Sequence, residues 1–140
     1  MGADATVIDT RFVVAEEIWG HRACKERVVA GDGADSRVVM QTFRGHHRVL
    51  DNEAARAVAA LEADRVEEFE RYREHVGGDK VREAYATGNT EIGMIDYGQA
   101  AVFADRIEPV DAIVDRLVDD AVAAFARLDR LAAIPTAVAS

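Results

Sequence analysis

Apolar and polar positions follow two different periods along the chain of 140 residues, and each period predicts a different kind of element. Apolar residues at helical spacing among charges predict helices over Val14–Ala30 and over the long segment that follows Asn52. Runs of β-branched residues predict a strand over Arg37–Phe43 and a short return strand over Arg48–Leu50. We therefore expect a mainly α protein with two or three short β-strands.

The segment after Asn52 is predicted to form two helices rather than one. Asn52 is a favourable N-cap residue, and the apolar stripes before and after Ala63 and Asp64 lie on slightly different faces. This change of face predicts a bend or break there. Asp79 is predicted to cap a further short helix that runs to Gly88.

The clearest helical pattern lies near the C-terminal end of the chain. Pro109 opens it and Pro135 stops it. One face carries apolar residues at i, i+3 and i+4 spacing, namely Val110, Ile113, Leu117, Ala121, Ala124, Leu128 and Leu131. Because no repeat or long linker divides the sequence, we expect residues 1–140 to form a single domain.

The stretch "ATVIDTRF" near the N-terminal end has the pattern of a short buried strand that ends in a loop. Thr6–Ile8 would form the strand, and Asp9 and Thr10 would end it. A strand at this position needs a sheet to join, and the next predicted strand lies far along the chain.

Composition and charge restrict the classes of function. Hydrophobic residues make up 49% of the chain and charged residues 31%, which is typical of a globular protein. The net charge of −9 disfavours nucleic acid as a partner, since phosphate backbones are repelled. Cys24 is the only cysteine, and no apolar run has the length of a membrane span. With no signal-peptide pattern, these features predict a cytoplasmic protein without a membrane partner.

Motifs with direct chemical meaning are few. Glu17 and His21 have the spacing of a metal-binding pair on a helix, but no third ligand accompanies them, so a solvated helix face is the favoured interpretation and no metal is expected. His46 and His47 are neighbours in a predicted turn. Cys24 is interpreted as a small packing residue. No nucleophile elbow, phosphate-binding loop or dinucleotide fingerprint is present.

Several stretches in the same order resemble the nitronate monooxygenases, also known as 2-nitropropane dioxygenases. They are "GADATVIDTRFVVAEE", "DSRVVMQTFRGHHRVLDN" and "GNTEIGMIDYGQAAVFADRIEPVDAIVDRLVDDA", the last with a Gly-Gln step and an I-x-P opening of the closing helix. Together they extend over almost the whole chain. The resemblance implies the last strand and the helical C-terminal portion of a TIM-barrel flavoenzyme, although a complete barrel needs about 250 residues.

The resemblance also implies a cofactor and a reaction. Members of this family bind FMN and oxidise alkyl nitronates with molecular oxygen. Val7, Ile8, Asp9 and Thr10 resemble the loop that holds the FMN phosphate, where the family usually has glycine in place of Asp9. A carboxylate about 4 Å from a phosphate adds repulsion on the order of 1 to 4 kcal/mol. The catalytic histidine of the family belongs to its N-terminal portion, and no histidine of this chain matches it, so no catalytic residue is assigned here.

The implied partner is a separately encoded N-terminal barrel half, without which we expect the chain to be inactive. A homo-oligomer formed through the lone strand or the last helix is a further possibility. The main alternative is a non-catalytic helical remnant that serves as an interaction module. A third possible function is that of a ligand carrier with a pocket around Tyr97, Gln99 and Phe103, which no specific motif supports.

Overall fold

The structure is a computed structural model that describes residues 5–132, with side chains up to residue 130. Six α-helices, one 3-10 helix and two β-strands form in this part of the chain. In order they are α1 (Thr10–Val13), α2 (Arg22–Val29), β1 (Ser36–Val39), β2 (His47–Leu50), α3 (Glu53–Ala63), α4 (Glu70–Val76), α5 (Gly78–Thr87), the 3-10 helix (Gln99–Phe103) and α6 (Val110–Ala132). The predicted class, mainly α with two or three short strands, is confirmed.

The two strands form an antiparallel hairpin. Ser36 pairs with Leu50 and Val39 with His47. The first strand ends at Val39 rather than at the predicted Phe43, because Met40 takes a left-handed backbone with φ of 64° that cannot continue a pleated strand. The return strand agrees with its prediction to within one residue.

Strand β2 lies between two hydrophobic clusters. Successive strand residues point to opposite faces, so Val49 and Leu50 enter different clusters. The cluster around Leu50 contains Val14, Val28, Ala84, Ile95, Tyr97, Ala101 and Ala104. The cluster around Val49 contains Val39, Ala55, Val58, Val66, Tyr72 and Met94. The hairpin therefore joins the two halves of the core.

The break predicted in the long charged helix is confirmed. α3 ends at Ala63, and Arg65 adopts a left-handed φ of 56° that turns the chain before α4 begins at Glu70. The hydroxyl of the buried Tyr72 donates a hydrogen bond of 2.7 Å to the carbonyl of Val66 across this turn. The bend is thus held by side-chain contacts and not only by local sequence.

The helix predicted over Val14–Ala30 is shorter in the structure and begins at Arg22. Gly20 has φ of +150°, which interrupts helical geometry, and His21 caps α2 by accepting a hydrogen bond from the Ala23 amide. The buried Lys25 ammonium donates to the Ala15 carbonyl at 2.7 Å. This bond fixes the irregular residues before α2 against the helix.

The predicted strand over Thr6–Ile8 was wrong for the chain on its own. Residues 5–9 form no regular element, and helix α1 follows from Thr10. A strand needs a neighbour for its N–H and C=O groups, and in residues 5–132 the only sheet is the distant hairpin. Within residues 5–132 no neighbouring strand pairs with Thr6–Ile8, and Val7 is exposed rather than buried.

The prediction that Asp79 caps α5 was also wrong. The helix begins one residue earlier, Gly77 stands at its N-cap position, and Asp79 lies in the first turn. Its carboxylate still favours the helix N-terminus electrostatically. The end of the helix is as predicted, with Gly88 in the left-handed C-cap conformation.

Helix α6 begins directly after Pro109, as predicted. Of the apolar face named from sequence, Ile113 is fully buried and Leu117 half-buried, whereas most of the face farther along the helix lies at the surface. Pro135 and the side chain of Leu131 lie outside the described residues. Among the helices of residues 5–132, none is both long and apolar enough to cross a lipid bilayer.

We expect Asn52→Ala to lower the free energy of unfolding by about 2 to 3 kcal/mol. The buried Asn52 side chain accepts from the Ala55 amide at 2.8 Å and donates to the Thr90 and Gly93 carbonyls at 2.8 and 2.9 Å. Alanine would leave all three groups without this partner. Urea unfolding followed by circular dichroism measures the loss.

Asn89→Ala is the matched control, because the exposed Asn89 side chain accepts only the Glu91 amide, at 3.1 Å. We expect this variant to lose about 0.5 kcal/mol or less. Equal losses for the two variants would contradict the role assigned to Asn52.

Candidate functional site

The four residues predicted to bind the cofactor line one cavity. Val7, Ile8, Asp9 and Thr10 border a space of about 290 Å³. The opposite wall comes from residues distant in sequence, namely Arg11, Ala100, Phe103 and Leu117. The loop before α1, the 3-10 helix and α6 thus converge here, and we call this space the Thr10 cavity.

Local geometry explains how the loop reaches this position. Asp9 precedes α1 with φ of −118°, a backbone conformation that needs no glycine. Its carbonyl accepts the Phe12 amide at 2.8 Å and so starts the short helix. Thr10 and Arg11 are buried, whereas Val7 is 99% exposed. The loop is therefore anchored at its helical end and open to solvent at the other.

Behind the loop, Arg11 is held in an ion-pair network. Its buried guanidinium pairs with Glu108 and lies 4.0 Å from Asp105. Arg116 pairs with the same two carboxylates, and Arg106 pairs with Asp105 at 2.7 Å. Hydrogen bonds from Arg106 and Arg116 hold the pKa of Asp105 well below its usual range. These arginines are thus already neutralised by carboxylates.

The ion-pair network forms part of a second cavity of about 300 Å³. Its walls are Arg11, Val102, Phe103, Asp105, Arg106, Ile113, Arg116, Leu117 and Asp120. This second cavity shares Arg11, Phe103 and Leu117 with the Thr10 cavity. The two spaces are therefore neighbours, one with an ionic wall and the other largely apolar.

Several apolar side chains at or near the Thr10 cavity are exposed. Phe103 is 73% exposed, and Val102 and Ile8 also lie at the surface. Helix α6 also carries a row of exposed apolar side chains, Val110, Val114, Val118, Val122, Phe125 and Leu128. A row of exposed apolar side chains is typical of a region that packs against further protein.

Two hydrogen bonds of the Tyr97 hydroxyl hold in place the segment that leads into the 3-10 helix. The buried Tyr97 hydroxyl donates to Asp35 at 2.6 Å and accepts from the Gly33 amide at 3.1 Å. Burial and the hydrogen bond to Asp35 raise the pKa of Tyr97 to about 12. The hydroxyl therefore stays protonated. A methyl group on Gly33 would lie 2.7 Å from Gln99 Cα, so the two segments touch closely.

The remaining candidates from sequence do not assemble into a site. Glu17 accepts the Val110 amide while His21 caps α2, so the two form no metal pair. In residues 5–132 no group of three or more His, Cys, Asp or Glu side chains could hold a metal ion. Burial raises the pKa of Cys24, as suits a packing residue.

Histidine chemistry is also remote from the cavities. His46 lies in the hairpin turn, and His47 pairs with Asp96. None of the histidines lines the Thr10 cavity or the second cavity. Sequence reasoning missed Leu117 and Ala100 as cavity residues, because only the long-range packing of α6 and the 3-10 helix brings them to Thr10.

Comparison with known proteins agrees with this partial architecture. The sequence model of the nitronate monooxygenase family matches residues 1–120. A solved structure of FabK from Thermotoga maritima superimposes with a TM-score of 0.76 at 29% identity, covering 87% of this chain and 38% of FabK. A mutant of the same FabK gives 0.65 at 27% identity, with 87% and 34% covered.

The coverage shows that the chain spans little more than a third of the length of these solved structures. They are TIM-barrel structures, and the region matched here contains the two-stranded hairpin and the helices around it rather than a closed barrel. The family match covers 120 of the 140 residues. The chain therefore belongs to the nitronate monooxygenase family.

Proposed function

We propose that this chain is the C-terminal portion of an FMN-dependent oxidoreductase that oxidises alkyl nitronates with molecular oxygen. The observation that carries the proposal is the convergence of Val7, Ile8, Asp9 and Thr10 on one cavity within an apolar surface. Family membership supports the redox chemistry. On this account the chain forms one wall of a flavin site, and the rest of a barrel forms the other.

The residues present suit the phosphate end of FMN. Thr10 can donate from its hydroxyl at the inner end of the Thr10 cavity, while Val7 and Ile8 offer an apolar wall. Bound FMN would supply a ring system that takes two electrons from the substrate. The contribution of this chain is to bind and orient the cofactor and to exclude water from it.

Proton removal from a substrate would need a base from outside the described residues. No histidine lines the Thr10 cavity, and the one carboxylate on its wall is Asp9. Near a phosphate dianion, Asp9 adds like-charge repulsion instead of catalytic help. We therefore infer that the isolated chain is inactive.

The exposed apolar surface supports a barrel portion as the missing partner. Val7 is almost fully exposed, and residues 5–9 form no strand. A sheet edge presented by the barrel portion would satisfy this backbone and cover Phe103 and α6. The partner could be encoded separately or belong to the same longer protein, and both arrangements complete the same site.

The alternative function is that of a non-catalytic interaction module. Its support is the same apolar row on α6, which could pack against α6 of a second copy and form a homo-oligomer. An oligomeric protein that does not bind FMN even when the barrel portion is present would favour this alternative. The proposed oxidoreductase instead predicts a cofactor that binds once the barrel is complete.

The purified chain should show no oxygen consumption with an alkyl nitronate, even with excess FMN. Addition of the barrel portion of a family member should produce nitronate-dependent oxygen uptake, because the second half supplies the base and most contacts to the flavin ring. An oxygen electrode measures both conditions. Oxygen uptake by the chain alone would contradict the proposal that the barrel portion supplies the base.

Asp9→Asn should tighten FMN binding to the completed protein by about 10-fold, since it removes one charge near the phosphate. Asp9→Gly removes the same charge and also frees the backbone, so its comparison with Asp9→Asn distinguishes the two effects. Because Asp9 has φ of −118°, glycine should gain little beyond asparagine. Fluorescence titration of FMN gives the dissociation constants. Unchanged affinity in both variants would place the phosphate away from Asp9.

A further inference from the structure

The chain has a single Asp–Gly step, at Asp32 and Gly33 in the loop before the hairpin, and it has no Asn–Gly step. Such a step is chemically labile, because glycine has no side chain to shield its nitrogen and lets the backbone turn toward the preceding carboxyl group. Asp32 is exposed, whereas Gly33 is buried with φ of +78°. The two reacting groups therefore lie where the core meets solvent.

Both reacting groups of this step are bound to other partners in the structure. The Gly33 amide donates to the buried Tyr97 hydroxyl at 3.1 Å, and Oδ1 of Asp32 accepts from the Ala34 amide at 2.9 Å. Tyr97 is held in turn by its hydrogen bond to Asp35 at 2.6 Å. The Gly33 nitrogen can attack the carboxyl group only after it leaves the hydroxyl, so the folded structure opposes the reaction.

Backbone isomerisation at this step needs no reactant besides water. The Gly33 nitrogen attacks Cγ of the protonated Asp32 carboxyl, so that an N–Cγ bond forms while the Cγ–OH bond breaks. The hydroxyl leaves as water with the former amide proton, which gives a cyclic succinimide. Water then opens the ring at one of its carbonyl carbons. Opening at Cγ restores aspartate, and opening at the backbone carbonyl gives isoaspartate, in which the chain runs through Cβ and Cγ.

We propose that Asp32 is a site of backbone isomerisation that the Tyr97 hydroxyl keeps unreacted in the folded protein. Isoaspartate lengthens the backbone by one carbon next to Gly33, where a methyl group would already lie 2.7 Å from Gln99 Cα. Close-packed surroundings of this kind do not accept an added carbon without a shift. The modification would thus break the contact that positions the 3-10 helix beside the Thr10 cavity.

Incubation of the complete chain in water enriched in ¹⁸O tests the proposal, because each opening of the succinimide fixes one solvent oxygen in the product. Trypsin cleaves after Arg27 and Arg37 and releases Asp32 and Asp35 in one peptide, so fragment masses locate the label. The same peptide, excised before incubation, is the unfolded reference. We expect label at Asp32 rather than Asp35, with uptake at least about 10-fold slower in the folded chain, because local opening must precede the reaction.

Variants identify the hydroxyl. Tyr97→Phe removes the acceptor of the Gly33 amide and should raise the uptake in the folded chain about 10-fold, the equivalent of one hydrogen bond. Tyr72→Phe is the matched control, because it removes a buried hydroxyl that donates to the Val66 carbonyl at 2.7 Å in the other hydrophobic cluster. It should label like the unchanged chain. Asp32→Glu should abolish the uptake, since its longer side chain cannot form the same ring.

Equal uptake by the folded chain and the excised peptide, by Tyr97→Phe and the unchanged chain, or by Tyr97→Phe and Tyr72→Phe would overturn the inference. If circular dichroism shows that Tyr97→Phe does not fold, hydrogen exchange of the Gly33 amide in the unchanged chain decides in its place. Exchange slowed at least about 10-fold relative to the peptide supports the bond to Tyr97. Exchange as fast as in the peptide contradicts it.

Discussion

The Tyr97 hydroxyl makes the contact on which the arrangement of the site depends. It joins Asp35 and Gly33, in the loop before the hairpin, to the segment that runs into the 3-10 helix. That helix places Ala100 and Phe103 opposite the Thr10 loop. Burial and the hydrogen bond to Asp35 raise the pKa of Tyr97 to about 12, which favours the protonated hydroxyl that donates this bond.

A second constraint concerns large apolar side chains that nothing covers in the described part of the chain. Backbone groups and large apolar side chains need partners, yet Val7, Phe103 and most of the apolar row of α6 lie exposed. The buried core lies elsewhere, in two hydrophobic clusters packed on either side of β2. Of the exposed apolar side chains, Val7, Ile8 and Phe103 line the Thr10 cavity.

Local signals in the sequence predicted much of the fold. The Asn52 cap, the break after Ala63 and the start of α6 at Pro109 each depend on neighbouring residues, and all three are confirmed. The strand at Thr6–Ile8 could not be judged locally, because a strand exists only with a partner.

The site was predictable only in part for a similar reason. A resemblance in the sequence placed Val7 to Thr10 together, but Leu117 reaches them through packing across about a hundred residues of chain. The Tyr97–Asp35 bond likewise joins residues 62 positions apart. No periodicity or short motif in the sequence indicates such long-range contacts.

The proposed function requires that this chain forms one wall of a flavin site and that a barrel portion completes it. The direct test is the visible absorption spectrum of FMN mixed with the purified chain and with the barrel portion of a family member. We predict a shifted, structured flavin band that stays with the protein on gel filtration only when both parts are present. A spectrum of free FMN in that mixture would contradict the claim.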